Sequence, residues 1–183
     1  MPTAPTPDPG SQPNPQPGSD LAPNATIEIH PATPADVPVL FDLIKALADY
    51  EKLLPEVVGS PENLHQHLFG ERPYVEAVVA RVAGEAAGFA LFFHNYSTFL
   101  TQPGLYLEDL FVLPRYRRQG VGQALLVYLG KLALSRGCGR FEWNVLDWNA
   151  SAIAFYERMG AELKNEWRLC RVSGEALKAY GDL

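Results

Sequence analysis

Apolar residues recur along the 183-residue chain with two spacings, one typical of strands and one typical of helices. Alternation in ATIEIHPA predicts a first strand, with Ile27 and Ile29 on one face. Helical spacing follows at Val37, Leu40, Ile44 and Leu47. Together with the capping sequence at 33–36, that spacing predicts a first helix ending near residues 50–52, and a second, shorter helix is predicted over residues 61–69.

Three strand-like runs occupy residues 74–82, 85–97 and 105–113, and the short turns between them favour an antiparallel meander. A strongly periodic helix is predicted from Arg118 to Arg136. The remaining predicted elements are a strand in RFEWNVL, a helix from Asn149 to Met159, a strand in WRLCRVS and a terminal helix capped by Ser173. This order predicts an α/β fold with one mixed, mostly antiparallel central sheet flanked by helices.

Composition divides the chain into a tail and one domain. Residues 1–24 hold eight of the sixteen prolines and no apolar run, so we expect a disordered, proline-rich tail followed by a single domain over residues 25–183. The tail does not resemble a secretory signal, and no run is long enough to cross a bilayer, which together predict a cytoplasmic protein with no membrane partner.

The net charge of −6 argues against nucleic acid as the main partner and suits a cationic small molecule. Cys138 and Cys170 lack the spacing of metal ligands, so we expect free thiols and no metal site.

The segment LYLEDLFVLPRYRRQGVG carries the clearest chemical signal. It runs from a strand into an arginine-glycine turn that opens a helix, and free backbone N–H groups at such a place suit a phosphate or diphosphate. Taken alone, the pattern of Arg117, Gly120 and Gly122 favours an ordinary helix entry. The strand that ends at Pro114 and the periodic helix that follows the glycines favour the phosphate site instead. The P-loop lysine and the third glycine of a dinucleotide fingerprint are both missing.

Two adjacent carboxylates, Glu108 and Asp109, lie within a strand whose other residues predict burial on both faces. They could form an ion pair with a nearby arginine. Alternatively, a partly buried carboxylate with a raised pKa could take a proton from an amine. Asn149 and Tyr156 lie two turns apart on one helix face, and Tyr156 could donate a proton to a leaving group or be a core tyrosine with a polar tip.

YLEDLFVLPRYRRQGVG and VLDWNASAIAFYERMGA resemble the GNAT superfamily of acyl-CoA-dependent N-acetyltransferases. Within this superfamily, the chain most resembles the spermidine/spermine branch and its relatives that use thialysine or small diamines. The segments that carry this resemblance are ALADYEKL, YLEDLFV, VLDWN and the late WRL. The resemblance extends from about Ile27 to Leu177. It implies acetyl-CoA as the co-substrate, a small-molecule amine as the acceptor, and a homodimer whose WRLCRV strands meet.

The resemblance also assigns roles to residues. It implies that the backbone of Leu110, Phe111 and Val112 pairs with the pantetheine arm, that Arg117 supports the turn, and that Tyr156 is the general acid. Glu108 is the candidate base, and the amine lies near Tyr50, Glu51, Glu108 and Asp109. The remaining implied cofactor contacts are Arg118, Gln119, Gly120, Val121, Gly122, Gln123, Asn149, Ala150 and Ser151.

The chain departs from the branch at residues 164–167, where Lys-Asn-Glu-Trp replaces the usual acids and glycine, so polyamine preference is not assigned on Glu166. The leading hypothesis is acetyl transfer to a polyamine, diamine or lysine analogue by direct attack in a ternary complex. The alternatives are the same reaction on a protein, amino-acid or drug amine, and a silent acyl-CoA-binding sensor.

Overall fold

The structure is a computed structural model that describes residues 26–182. The predicted tail lies outside these residues. The strands are β1 Ile27–Pro31, β2 Glu76–Val82, β3 Glu85–Ser97, β4 Gln102–Val112 and β5 Arg140–Trp143. The helices are α1 Val37–Tyr50, α2 Pro61–Phe69, α3 Val121–Ser135, α4 Ala150–Arg158 and α5 Gly174–Lys178.

The five strands form one sheet in the order β1-β2-β3-β4-β5. The first four are antiparallel, as the short turns predict for β2, β3 and β4, and β5 pairs with β4 in parallel after the crossover through α3. The predicted mixed, mostly antiparallel sheet flanked by helices is therefore confirmed.

Helices cover both faces of the sheet, and alternate strand residues supply the two cores. On β2, Val78, Ala80 and Val82 belong to the core packed against α3. Ala77 and Val79 point the other way, into the core formed with α1 and α2. This two-sided burial explains why β2 reads as a nearly continuous apolar run.

Several element boundaries agree with the sequence pattern. β3 spans the predicted residues 85–97, and α2 begins and ends as predicted, with the Ser60 hydroxyl accepting a hydrogen bond from the Asn63 N–H at 3.2 Å. The β2–β3 turn uses positive φ at both Ala83 and Gly84, which is the backbone of a tight hairpin. The turn therefore lets β3 fold back and pair with β2 in the antiparallel orientation.

The predicted strand in WRLCRVS is wrong. Residues 168–173 have no regular secondary structure, and the apolar side chains of Leu169 and Val172 are 70% and 46% exposed. The sheet ends at β5 within the described chain, and residues 168–173 do not pair with the open edge of that strand. The strand predicted in RFEWNVL is also shorter, ending at Trp143.

Among residues 26–182, no helix has both the length and the apolar character that crossing a membrane requires.

Candidate active site

The site lies where β4 and β5 separate. The two strands pair only from Gly104 opposite Arg140 to Leu107 opposite Trp143. β4 continues to Val112, held on its other side by β3, so its last five residues leave an open edge toward the β5–α4 connection. A cavity of about 1050 Å³ fills this opening. An open strand edge can bind an extended ligand by main-chain hydrogen bonds.

A β-bulge at Glu108 shapes the floor of this cavity. Leu91 of β3 lies opposite Asp109 and Phe92 lies opposite Leu107, so Glu108 is an extra residue on β4. Before the bulge, Leu105 and Leu107 belong to the core beneath α3, whereas Phe111 after it belongs to the core beneath α1. The bulge thereby places Asp109 on the α1 face.

Both adjacent carboxylates line the cavity as a result, together with Glu51 at the end of α1. Regular alternation would have directed neighbouring side chains to opposite faces of the sheet. Glu108 is exposed, which corrects the expectation that the strand buries both carboxylates, while Asp109 is half-buried. The sequence contains both acids but no signal for the bulge that brings them together.

Burial, then the charges of Glu108 and Glu51, raises the pKa of the Asp109 carboxyl to about 6. Burial also raises the pKa of Glu51. None of these three acids forms an ion pair or side-chain hydrogen bond with another residue in 26–182. The ion-pair alternative for Glu108 and Asp109 therefore does not describe this structure. Four arginines, Arg117, Arg118, Arg158 and Arg171, line other parts of the same cavity, but within residues 26–182 none of them forms an ion pair with the three acids.

The arginine-glycine turn lies beside the open end of β4. Arg118 and Gly120 both have positive φ, 63° and 86°, and Gly120 precedes the first residue of α3. Ala124 is the first residue of this segment whose N–H bonds to a backbone carbonyl, that of Gly120. Within the described chain, the N–H groups from Arg118 to Gln123 donate no hydrogen bond, so they form a set of unsatisfied donors at a helix N-terminus.

Arg117 connects this turn to its surroundings. Its Nε donates a hydrogen bond to the Val112 carbonyl at 3.1 Å, which ties the turn to the end of β4. Its guanidinium also stacks on the aromatic rings of Tyr50 and Phe111. These contacts agree with the supporting role implied for Arg117.

Helix α4 forms the opposite wall of the cavity. The Asn149 Oδ1 caps the helix by accepting from the Ala152 N–H at 3.2 Å, and the Ser151 hydroxyl donates to the same oxygen at 3.2 Å. Two turns later Tyr156 is half-buried, with its ring 5.1 Å from Trp143. Burial, then the charge of Glu51, raises the pKa of Tyr156, so the phenol keeps its proton at neutral pH.

Nearly every residue implied by the sequence lines this one cavity. The two that do not are Ala150 and Gln119, whose side chain instead donates to the Arg115 carbonyl at 2.8 Å. Sequence reasoning missed Tyr106. The side chains of residues two apart on a strand point to the same face, so the position of Tyr106 two residues before Glu108 could have indicated it. No sequence signal pointed to the other missed lining residues, Leu47, Asn144, Val145, Leu146, Ala152, Phe155, Arg158, Leu169 and Arg171.

No group of three or more metal-ligating side chains occurs within residues 26–182, and Cys138 and Cys170 are both free thiols.

Comparison with known proteins places this geometry in context. Residues 44–161 match the model of the acetyltransferase (GNAT) family. The chain is 36% identical to an L-ornithine N5-acetyltransferase of Arabidopsis thaliana, with 83% of this chain and 86% of the relative covered. It is also 36% identical to a thialysine N-epsilon-acetyltransferase of Sus scrofa, with 84% and 96% covered.

An integron cassette protein of V. cholerae has the same fold, with a TM-score of 0.73 at 24% identity over 87% of this chain and all of that one. The named relatives confirm the branch indicated by YLEDLFV and VLDWN.

Proposed function

The chain belongs to the GNAT family and is an acetyl-CoA-dependent N-acetyltransferase, and we propose that its acceptor is a small cationic amine, namely a polyamine, a diamine or a lysine analogue. The named relatives act on ornithine and thialysine, which both end in a side-chain amine. Their names support an acceptor that carries two charged groups on a short aliphatic chain.

The observation that carries the proposal is the trio of Glu51, Glu108 and Asp109 in one cavity, none of which forms an ion pair within residues 26–182. Burial, then the charges of Glu108 and Glu51, raises the pKa of Asp109, so ionising Asp109 is costly in the absence of a bound cation. A bound ammonium group lowers that cost, and the gain is larger in a partly desolvated cavity than in water. The acids therefore favour a cationic acceptor.

Acetyl-CoA fits the other half of the cavity. The unsatisfied N–H groups from Arg118 to Gln123 would hold its diphosphate, and the free edge of Leu110, Phe111 and Val112 would pair with its pantetheine arm. A backbone N–H on this edge would polarise the acetyl carbonyl. When bound there, acetyl-CoA supplies a thioester whose carbonyl carbon accepts the amine and whose thiolate departs.

We propose that Asp109 takes the proton from the acceptor ammonium. An alkylammonium with a pKa of about 10.4 needs roughly 4 to 5 kcal/mol to expose its lone pair at neutral pH. Asp109 is half-buried, and its pKa of about 6 leaves it ionised at pH 7 yet a better base than an ordinary carboxylate. Glu108, the base expected from the resemblance, is exposed and better suited to binding the cation.

Tyr156 serves as the proposed acid. Its phenol remains protonated at neutral pH and lines the same cavity as Asp109. The balance requires two protons to leave the acceptor nitrogen, one before and one after the new C–N bond forms. One proton passes from Tyr156 to the departing sulfur as the C–S bond breaks, and a nitrogen proton, relayed through solvent, restores the phenol.

A panel of amines tests the proposal by release of free CoA thiol from acetyl-CoA. The panel contains spermidine, putrescine, lysine, ornithine, thialysine, neutral amino acids, an aminoglycoside and a lysine peptide. Turnover concentrated on the small diamines and diamino acids is expected. Acetyl-CoA binding without turnover on any amine would instead favour the sensor, and turnover only on the peptide or the aminoglycoside would favour the other acceptor classes.

Two finer predictions from the sequence remain as proposals. A homodimer is tested by light scattering of the purified chain, with twice the 20.2 kDa chain mass as the expected result. A cytoplasmic location is tested by fractionation of the source cells.

A further inference from the structure

We propose that Arg171 and Tyr106 bind the carboxylate of an amino-acid acceptor, so that the enzyme selects diamino acids over the diamines that lack this carboxylate. The inference rests on the proposed amine acetylation and narrows its substrate class. It assigns a specificity role to two residues outside the acid trio.

Four arginines line the cavity, and Arg171 is the one whose charge acts on the Tyr106 hydroxyl, two residues before Glu108 on β4. Arg171 lines the cavity together with Leu169, although both belong to the irregular C-terminal segment. Within residues 26–182, Arg171 forms no ion pair and no side-chain hydrogen bond. An arginine free of protein partners beside a cavity is available for a carboxylate, which its planar fork binds with two parallel hydrogen bonds.

Tyr106 is the neighbour that completes the pair. Its half-buried ring packs on Phe93 with 5.1 Å between the ring centres, and it lines the same cavity. Burial, Glu108 and Glu142 raise the pKa of its hydroxyl, while the charge of Arg171 acts in the opposite direction. Arg171 therefore lies close enough to the hydroxyl to affect its ionisation, and the protonated phenol can donate to the same carboxylate.

The spacing along β4 fits a diamino acid. Tyr106 precedes Glu108 by two residues, about 6 to 7 Å along a strand. The four-bond path from the Cα of ornithine to its terminal nitrogen spans on the order of 5 Å, and the carboxylate carbon extends it by one more bond. An acceptor held by Arg171 and Tyr106 at its carboxylate thus reaches the acids with its side-chain amine.

The same arrangement works against a diamine. Putrescine is ornithine without the carboxylate, so the group that it brings beside Arg171 is its second ammonium. A like charge there is repelled, and the exposed Arg171 guanidinium has no carboxylate to bind. The other arginines of the cavity do not share this role. Arg117 is stacked on Tyr50, and Arg118 belongs to the turn that precedes α3. Arg158 is the last residue of α4, and its charge is not among those that act on the Tyr106 hydroxyl.

The test compares two matched pairs of acceptors, ornithine with putrescine and lysine with cadaverine, by kcat/KM in the CoA-release assay. The wild-type chain is expected to prefer the amino acid of each pair by at least about tenfold. Arg171→Ala should lower kcat/KM for ornithine about tenfold to a hundredfold and leave putrescine unchanged or improved. Arg168→Ala is the matched control, because Arg168 lies in the same segment but does not line the cavity.

A second measurement needs no variant. Ornithinamide keeps the shape and both amines of ornithine but lacks the negative charge, and the wild-type chain should use it at least about tenfold less well. Equal kcat/KM for ornithine, ornithinamide and putrescine would overturn the inference while leaving amine acetylation intact. Absence of turnover on every amine would instead overturn the proposed function itself. Tyr106→Phe should reduce the preference for ornithine in the same direction as Arg171→Ala.

Discussion

The guanidinium carbon of Arg117 lies 4.3 Å from the centre of the Tyr50 ring. Tyr50 is the last residue of α1, next to Glu51, while Arg117 is the last residue before the turn that opens α3. The Arg117 Nε also binds the Val112 carbonyl at the end of β4. The Arg117 side chain therefore links three parts of the site: the end of α1 beside Glu51, the end of β4 and the turn proposed to hold the diphosphate.

Arg117→Met should weaken acetyl-CoA binding about tenfold. Methionine keeps an apolar stem of similar length against Tyr50 but loses the stacked charge and the hydrogen bond to Val112, together worth roughly 1 to 2 kcal/mol. Calorimetric titration with acetyl-CoA measures the change. Arg115→Met is the control, because Arg115 stacks on Tyr116 at 4.9 Å but does not line this cavity. Equal affinities for both variants would contradict the proposed support of the turn.

Gly122→Val should block the cofactor half of the cavity without unfolding the chain. A Cβ at Gly122 would lie 3.8 Å from the Val112 Cγ2 and 4.0 Å from the Phe155 ring, where α3 faces the open end of β4. The added methyl groups would then occupy space lined by residues 110–112 and 155. Acetyl-CoA affinity should fall at least about tenfold, because the backbone N–H groups become harder to approach.

Gly130→Val on the same helix is the matched control. A Cβ there meets no atom within 4 Å, and valine costs no more helix stability than glycine. Thermal unfolding should show similar stability for both variants. If both variants bind acetyl-CoA as tightly as the wild-type chain, the cofactor does not bind at residues 110–112 and 118–123.

Much of the fold was predictable because local patterns and tertiary packing agree. The β2 and β3 runs, the Ala83-Gly84 turn and the periodic residues of α3 each form the element that their spacing predicts. The turn before α3 was predictable for the same reason, since Gly120 readily adopts the positive φ that the turn requires. The helix itself begins at Val121, three residues after the predicted start at Arg118. These features are encoded by neighbours in sequence.

The less predictable features depend on register and on distant partners. The bulge at Glu108 arises from the pairing of β3 with β4, and it exposes one carboxylate while turning Asp109 toward α1. The residues after Trp143 look like a strand in sequence, yet they leave β4 and form the cavity rim at residues 144–146. Alternation of apolar residues in WRLCRVS likewise could not show whether a pairing strand lies beside it.

The pH dependence of kcat/KM should report Asp109. Catalysis requires its ionised form, so kcat/KM for ornithine should rise with pH through an apparent pKa of about 6. At higher pH, deprotonation of the ornithine ammonium should raise kcat/KM further. Asp109→Asn should remove this rise near pH 6, the acidic limb of the pH profile, and lower kcat by about 10²-fold or more. Glu108→Gln serves as the comparison and should keep the limb. Loss of the limb in Glu108→Gln but not in Asp109→Asn would return the role of base to Glu108.

Stability should depend on pH through the same carboxyl. Its pKa is about 6 in the folded chain and about 3.9 when unfolded, so the folded state holds the proton more tightly. The contribution of the protonated carboxyl to the free energy of unfolding is fully present below about pH 4. It is lost as the pH rises through 6, and the total loss is about 3 kcal/mol. Urea unfolding at pH 4 and 7.5 should show Asp109→Asn gaining stability over wild type only at the higher pH. An equal difference at both pH values would contradict the raised pKa.

Tyr156→Phe should lower kcat by about 10²-fold or more while leaving acetyl-CoA affinity within about threefold, because only the transferable proton is removed. The ring contacts to Trp143 and Phe155 survive the change, so the cavity wall stays in place. Tyr128→Phe is the control, since Tyr128 packs against the core without lining the cavity. Single-turnover CoA release measures the chemical step and calorimetry measures binding. Parallel losses of rate and affinity in Tyr156→Phe would show that the hydroxyl holds the cofactor, and an unchanged rate would remove Tyr156 from the proton path.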